Sequence, residues 1–282
     1  MRVAYLGPAG TYTHEALLSS ADGFAAAAVE ATPRATIHEV VLAVQNGEAD
    51  RGVVPIENSV EGSVNATLDA LAFDAPEVQI IGETVLAIHH CLIGRTGLAA
   101  EEVELVLSHP QALAQCAGFV RSRLPGASVR AEASTAEAVR AVAGGERPWA
   151  ALGPRTAADR YGGTVLLEDV EDVAGNETRF AWLARADAPP PGGSDGPFKT
   201  AVAFWPKESD HPGWLVDCLA EFSSRGVNLT RIESRPRKVG LGEYVFFIDV
   251  EGAARDPGVA AALAGVETHV AQLRVLGSFA AA

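Results

Sequence analysis

The chain has 282 residues, 48% of them hydrophobic, which exceeds one average domain and is enough for two or three cores. A formal charge of −14 and a pI near 4.9 oppose the phosphate backbone of nucleic acids and anionic membrane surfaces, excluding both as partners while leaving room for a local small-anion site. Cys91, Cys116 and Cys218 are widely spaced and form no CxxC pair, so reduced thiols in a cytoplasmic protein are expected, without disulfides or structural zinc.

In chain order, "RVAYLG" reads as a strand, too short before Gly7 and Pro8 for a signal-peptide core. No apolar stretch approaches membrane-spanning length, so a soluble protein is expected. "GPAGTYTHEA" follows, with Gly7, Gly10, Thr11 and Thr13 between the strand and a helix capped by Thr11 or Thr13. Free N–H groups at such a helix start suit a carboxylate; an ordinary tight turn with a cap is the alternative. It is not a Walker loop, since no GKS or GKT follows.

"TIHEVVLAVQNGEADRGVVPIE" starts with Thr36 and Glu39 in capping-box spacing, runs as an amphipathic helix, breaks at Gly47 and enters a strand ending at Pro55. "STAEAVRAVAGGERPWAALGP" repeats that plan from Ser134 and Glu137 to Gly153 and Pro154, implying two lobes of similar build. Between these echoes, "PIENSVEGSVNATLDAL" concentrates Glu57, Asn58, Ser59, Glu61, Ser63 and Asn65 in a strand-to-helix loop, where α/β proteins keep ligand contacts or merely solvated caps. "VQIIGETVLAIHHCLIG" and "VELVLSH" are further strand-like runs. In "SHPQALAQC", Ser108 is expected to cap a helix that carries Gln111 and Gln115 one turn apart. The seven histidines show no HExxH or comparable metal spacing.

"GNETRF", residues 175 to 180, crowds an amide, a carboxylate, a hydroxyl and a guanidinium at the entry to the apolar strand "FAWLA". Such a cluster needs internal partners or a ligand. Either Arg179 pairs with a nearby carboxylate, or Thr178 and Arg179 sit at a cleft and hold a substrate. Alternating strands and helices up to this point indicate an α/β architecture with largely parallel sheets.

"RADAPPPGGSDGP", residues 185 to 197, carries four prolines and three glycines and reads as a linker. The remainder reads β-α-β-β-α-β, from "KTAVAFW" through "HPGWLVDCLAEFSSRG", "VNLTRIES", "EYVFFIDVE" and "PGVAAALAGVETH" to "QLRVLGSF". This is the ferredoxin-like order, with sheet edges open to self-association.

"YLGPAGTYTHEAL", "GVVPIENSVEGSVNATLDAL", "SHPQALAQC", "AALGPRTAADRYG" and "NETRF", followed in order by "ESRP" in the tail, resemble the successive motifs of the prephenate dehydratase family with a C-terminal ACT regulatory domain. The resemblance implies two lobes like a type II periplasmic binding protein: lobe one from residues 1–76 plus 168–185, and lobe two from 77–167. A linker over 186–197 and an ACT domain over 198–282 would follow. With no chorismate mutase segment before Met1, the chain resembles the stand-alone form.

By the same resemblance, prephenate loses a hydroxyl and a carboxylate to give phenylpyruvate, water and carbon dioxide in phenylalanine biosynthesis. A cytoplasmic carbon–oxygen lyase without a cofactor is expected. Thr178 would hydrogen bond or donate a proton to the leaving hydroxyl, Asn58, Ser108 and Gln115 would orient the substrate, and Glu57 would shape the site. Thr11, Ser59, Arg179, Gly153, Pro154, Arg155 and Thr156 would hold the two carboxylates.

The family's effector is phenylalanine, bound between subunits of a homodimer or homotetramer by a GALV motif and the ESRP loop. Glu233, Ser234, Arg235 and Pro236 keep ESRP, but the other motif reads Gly213, Trp214, Leu215, Val216. A Trp214 ring facing inward blocks or narrows the effector pocket, and one facing outward adds interface contact. The rival readings are arogenate dehydration and a non-catalytic amino-acid sensor, which has no need of the Thr178 hydroxyl.

Overall fold

A computed structural model gives the conformation of residues 1–24, 28–189, 196–207 and 211–282, so residues 190–195 of the expected linker lie outside the described residues. The chain begins β1 (Arg2–Leu6), α1 (Tyr12–Phe24), β2 (Glu30–Arg34), α2 (Ile37–Gln45), β3 (Arg51–Asn58), β4 (Gly62–Ser63), α3 (Asn65–Asp69) and β5 (Val78–Ala87). It continues with β6 (Cys91–Gly94), β7 (Leu105–Ser108), α4 (Pro110–Gln115), α5 (Ala117–Arg123), β8 (Ser128–Ala131), α6 (Thr135–Ala143), β9 (Trp149–Gly153), α7 (Arg155–Tyr161), β10 (Thr164–Leu167) and β11 (Glu177–Arg185). The last part is β12 (Phe198–Pro206), α8 (Trp214–Ser223), β13 (Leu229–Pro236), β14 (Tyr244–Glu251), α9 (Pro257–His269) and β15 (Val270–Ala280).

Two α/β lobes are built on separate sheets. The first has the order β2-β1-β3-β11-β5, with β4 folded back on β3, and the second has the order β10-β6-β9-β7-β8. Both are mixed rather than largely parallel: β11 runs antiparallel to β3 and β5, and β6 runs antiparallel to β9 and β10. The reason is connectivity, because β11 starts at the cleft, where β1 and β3 end. The expected lobe boundary at residue 77 also moves, since β5 pairs with β11 from Val78 to Ala87 and therefore belongs to the first sheet. The outward crossing is Ile88 to His90; the return crossing lies between β10 and β11.

Side-chain alternation on β11 shows why this strand sits centrally. Phe180 and Trp182 pack with Tyr5, Ala16 and Leu17 beside α1, whereas Ala181 and Leu183 pack with Val40, Val44 and Leu71 on the opposite face. α2 and α6 start as their sequences indicate: Thr36 Oγ1 accepts from the Glu39 amide and Ser134 Oγ from the Glu137 amide, both at 3.1 Å. Strand β3 runs three residues beyond the expected stop at Pro55, and that extension carries Glu57 and Asn58.

The third sheet, ordered β13-β14-β12-β15, closes the β-α-β-β-α-β unit. Val202, Phe204 and Ile248 on one face pack with Phe222 and Val266 under α8 and α9, while Ala203, Phe247 and Leu276 on the other join the first lobe's core at Leu71 and Ile80. β15 comes so close to β5 that a Cβ at Gly277 would lie 2.1 Å from the Ile80 carbonyl oxygen, so glycine alone fits there. Arg274 completes the joint by donating to the carbonyls of Leu71, Ala75 and Val78.

Candidate active site

A cavity of about 440 Å³ lies between the lobes. Four helices begin around it, contributing Thr11 to Thr13, Ala35 and Ile37, His109 and Gln111, and Ser134 and Thr135. Strands end and helices begin on this side of both sheets, so helix N-termini face the cleft from both lobes. Among the described residues lining it, none is lysine or arginine. An anion held here meets backbone N–H groups, hydroxyls and helix dipoles instead of guanidinium groups.

The lobes touch around this cavity. Tyr161 Oη donates to the Ala9 carbonyl at 2.7 Å and Thr156 Oγ1 donates to Glu15 Oε2 at 3.0 Å. Gly10, at φ +85°, has the Ala157 Cα 3.2 Å from where its Cβ would be, so the approach of α1 to α7 depends on glycine at this turn.

Thr178 is the second residue of β11 and is 9% exposed. It lies opposite Asn58 at the end of β3. Asn58 Oδ1 accepts from the backbone amides of Val60 and Glu61, each at 3.0 Å, which fixes the orientation of its side-chain amide. Asn58 Nδ2 must then donate, and it reaches Asn176 Oδ1 at 2.7 Å, Thr178 Oγ1 at 2.9 Å and the Glu177 carbonyl at 3.1 Å. Thr178 Oγ is thus an acceptor toward the protein, and its hydrogen is left for another partner.

The network continues past Asn176, whose Nδ2 donates to Gln115 Oε1 at 3.2 Å. Gln115 Oε1 also lies 3.0 Å from His90 Nε2, and His90 Nδ1 lies 2.7 Å from the Tyr12 hydroxyl. Burial lowers the His90 pKa, opposed by its bond to Gln115 and the nearby Glu171 carboxylate, so the ring is neutral near pH 7. Ser59 Oγ closes the other side, accepting from the Glu177 amide at 2.9 Å and donating to Asn176 Oδ1 at 3.3 Å. Glu171 braces the crossing by accepting from the His90 amide at 2.9 Å.

Thr11, Asn58, Gln115 and Thr178 line the cavity, and several other expected site residues do not. Ser108 is fully buried and donates to the Leu152 carbonyl at 2.6 Å; the cap of α4 is His109, whose Nδ1 accepts from the Gln111 amide. Arg179 and Glu57 project to the opposite face of the sheet, as alternation along a strand requires. Arg179 bonds Glu57, Glu83 at 2.9 Å and Asp249 of β14 at 2.7 Å, so its donors are taken up by carboxylates of the protein. Gly153, Pro154, Arg155 and Thr156 lie outside the lining, with Arg155 paired to Glu168 and Thr156 to Glu15. Sequence reasoning missed His90, Tyr12, Thr135 and Asn176 as lining residues. Asn176 stood within "GNETRF", and the His89-His90 pair was weighed only as a metal motif.

Among the expected effector residues, Glu233 Oε2 accepts from Ser63 Oγ at 2.9 Å and Arg235 grips Asp69 with two nitrogens at 3.1 and 3.0 Å, both facing the first lobe. Ser234 and Pro236 alternate to the exposed side. Trp214 turns inward, edge-on to Phe204 and Phe246, with ring centroids at 6.4 and 5.5 Å. Gly213 begins α8 at φ +97°, followed by half-buried Leu215 and exposed Val216. Cys116 is fully buried, and burial pushes its thiol up to about 12, which removes it as a nucleophile near neutral pH.

Comparison with known proteins places this geometry in a family. A family model for prephenate dehydratase matches residues 3–188, and one for the ACT domain matches residues 209–268. The chain is 42% identical over 283 residues to the prephenate dehydratase of Amycolatopsis methanolica, covering all of this chain and 89% of that one. It superposes with a TM-score of 0.87 and 39% identity on the crystal structure of the Arthrobacter aurescens prephenate dehydratase in complex with L-Phe, covering 99% of this chain and 90% of that one. A structure described as GqqA, a novel type of quorum quenching acylase, superposes with a TM-score of 0.86 at 29% identity, covering 100% of this chain and 98% of that one. No helix among the described residues is long and apolar enough to cross a membrane. The chain belongs to the prephenate dehydratase family and carries the family's ACT domain at its C-terminal side.

Proposed function

We propose that the interlobe cavity converts prephenate to phenylpyruvate, water and carbon dioxide, with Thr178 supplying the proton that lets the hydroxyl leave as water. The observation that carries this reading is the polarity of the Asn58–Thr178 hydrogen bond. Because Asn58 can only donate to Thr178 Oγ, the threonine hydrogen is available to a substrate oxygen in the cavity it lines. As the ring carboxylate departs as carbon dioxide, its bonding pair completes the aromatic ring and the C–O bond breaks. The departing oxygen takes the Thr178 proton, and Asn58 Nδ2 steadies the oxygen left behind. A proton from water restores the hydroxyl, so each turnover consumes one proton from solvent.

The two substrate carboxylates are assigned to the helix starts at Thr11 to Thr13 and at Ser134 and Thr135, one on each lobe. Gln115 orients the substrate between them. The enzyme is thereby a carbon–oxygen lyase acting in the cytoplasm, with lobe one over residues 1–87 plus 177–185 and lobe two over 91–167. Residues 186–197 join them to the ACT domain at 198–282. Phenylalanine is assigned as effector, supported by the L-Phe complex of the Arthrobacter relative. Homodimers or homotetramers would place its site at the start of α8 and the exposed side of β13. The inward packing of Trp214 leaves that surface to Gly213, Val216 and Ser234.

Incubation with prephenate, followed by alkaline absorbance of phenylpyruvate, tests the central claim. Thr178→Ala is expected to lose ~10²–10⁴-fold in kcat while staying folded. A variant within a factor of about two of wild type would remove Thr178 from the chemistry. Failure of wild type on prephenate, with turnover of arogenate, would reassign the substrate.

A further inference from the structure

We propose that His90 is a positioning residue for the dehydratase reaction: its Nε2–H holds the carbonyl oxygen of Gln115, which turns the Gln115 amide nitrogen toward substrate. This inference rests on the dehydratase reading above. Its basis is the direction of hydrogen bonds along the chain of side chains that ends at Thr178.

The direction is set by backbone groups. The Val60 and Glu61 amides fix Asn58 Oδ1, so Asn58 Nδ2 faces Asn176, and the Asn176 atom it meets must be Oδ1. Asn176 Nδ2 is then the atom that meets Gln115, which requires Gln115 Oε1 at that point. The His90 Nε2, 3.0 Å from the same oxygen, therefore has to carry hydrogen. In the neutral ring Nδ1 is left as an acceptor for the Tyr12 hydroxyl at 2.7 Å, which shares its one hydrogen between this nitrogen and the His89 carbonyl at 2.8 Å.

Gln115 is consequently unbalanced. Its oxygen takes two donors, whereas its Nε2 is buried and has no hydrogen-bond partner among the described residues. Buried amide nitrogens are ordinarily satisfied, and Gln115 lines the cavity, so the partner that fits is an acceptor oxygen of the bound substrate. Without the Nε2–H of His90, the Gln115 amide can rotate and present its oxygen to an anionic substrate, which repels it. His90 is suited to this task by place: it is 2% exposed, sits where the chain crosses between lobes, and is tethered by Tyr12 from α1.

Two isosteric substitutions separate the ring nitrogens. Gln at position 90 can place a donor near the site of Nε2, and Asn can reach only that of Nδ1. We expect His90→Asn to lower kcat/KM by about 10- to 100-fold, the scale of a misplaced substrate, and His90→Gln to recover most of that loss. The His90→Asn effect should vanish in a Gln115→Ala background, because the histidine acts through that glutamine. Equal loss in the Asn and Gln variants, or full additivity with Gln115→Ala, overturns the proposal.

Ring-nitrogen NMR of the wild-type chain provides a readout independent of turnover and of whether the variants fold. Protonated Nε2 is expected, and a neutral ring protonated only at Nδ1 overturns the assignment. Wild type without activity on prephenate would sink the dehydratase reading, whereas an active wild type with the wrong tautomer or an additive cycle sinks only the role of His90.

Discussion

Thr178 Oγ1 and Asn58 Nδ2, 2.9 Å apart, show how a hydroxyl hydrogen is aimed. A free threonine hydroxyl rotates among partners; here one lone pair is engaged by a donor whose own orientation is locked by two backbone amides. Replacing Asn58 by Asp exchanges that donor for an acceptor, and Thr178 would then turn its hydrogen toward the carboxylate. Asn58→Asp is therefore expected to lose at least about 10²-fold in kcat with an unchanged far-ultraviolet circular dichroism spectrum. Retention of wild-type kcat would remove the orienting role. Cys116 provides a contrasting case, since burial holds its thiol protonated. Native protein at pH 8 should leave Cys116 unlabelled by a thiol reagent, and unfolded protein should not.

At the scale of elements, β11 joins two functions by alternation. Thr178 faces the cavity, and the next residue, Arg179, enters a cluster with Glu57, Glu83 and Asp249 that Lys199 and Arg231 complete. The strand bearing the proposed catalytic hydroxyl is thus pinned directly to the ACT sheet. The side chains of Glu83 and Asp249 are 4% and 1% exposed, so removing Arg179 strands charge in the interior. Arg179→Ala is expected to cost ~3–5 kcal/mol, read as a fall in the urea midpoint. Burial raises the Asp249 pKa, but Arg231 and Arg179 outweigh it and hold the carboxyl below its ordinary value. Its folded pKa being depressed, its stabilising contribution is complete above the unfolded value of about 4 and is lost as pH falls through the lower folded value. The stability difference between wild type and Asp249→Asn should accordingly shrink below about pH 4; a gap that stays constant there excludes this linkage.

For the whole molecule, the net charge of −14 sets a condition on a dianionic substrate. Long-range repulsion opposes its approach, while the helix starts attract it only within the cleft, which holds no lysine or arginine among its described lining residues. Raising ionic strength from about 0.01 to 0.15 M shortens the Debye length from ~30 to ~8 Å and screens the distant charge more than the buried contacts. The KM for prephenate should fall over this range with little change in kcat. A KM that rises with salt would point to exposed cationic groups capturing substrate. The shared core of the first lobe and the ACT sheet, sealed at Gly277 and Arg274, makes these two parts one packed body, so an effector bound at the proposed site on β13 would act on an element already joined to lobe one through Glu233 and Arg235.

The α/β class, the β-α-β-β-α-β tail, the caps at Thr36 and Ser134 and the motif that carries Thr178 are legible along the chain, because each depends on local periodicity, capping chemistry or residues close in sequence. Strands β2 and β8 are not, since both are exposed edges without apolar alternation. Which face each polar residue takes was settled by the assembled fold. Arg179 turned to the ACT sheet, Ser108 to the Leu152 carbonyl, and Glu233 and Arg235 to lobe one. Folding also brought Gln115 of the second lobe, and His90 and Asn176 of the two crossings, to Asn58 and Thr178 of the first. The physical reason is that hydrogen-bond direction and ion pairing are properties of atoms brought together across the fold, whereas helix and strand patterns are written along the chain.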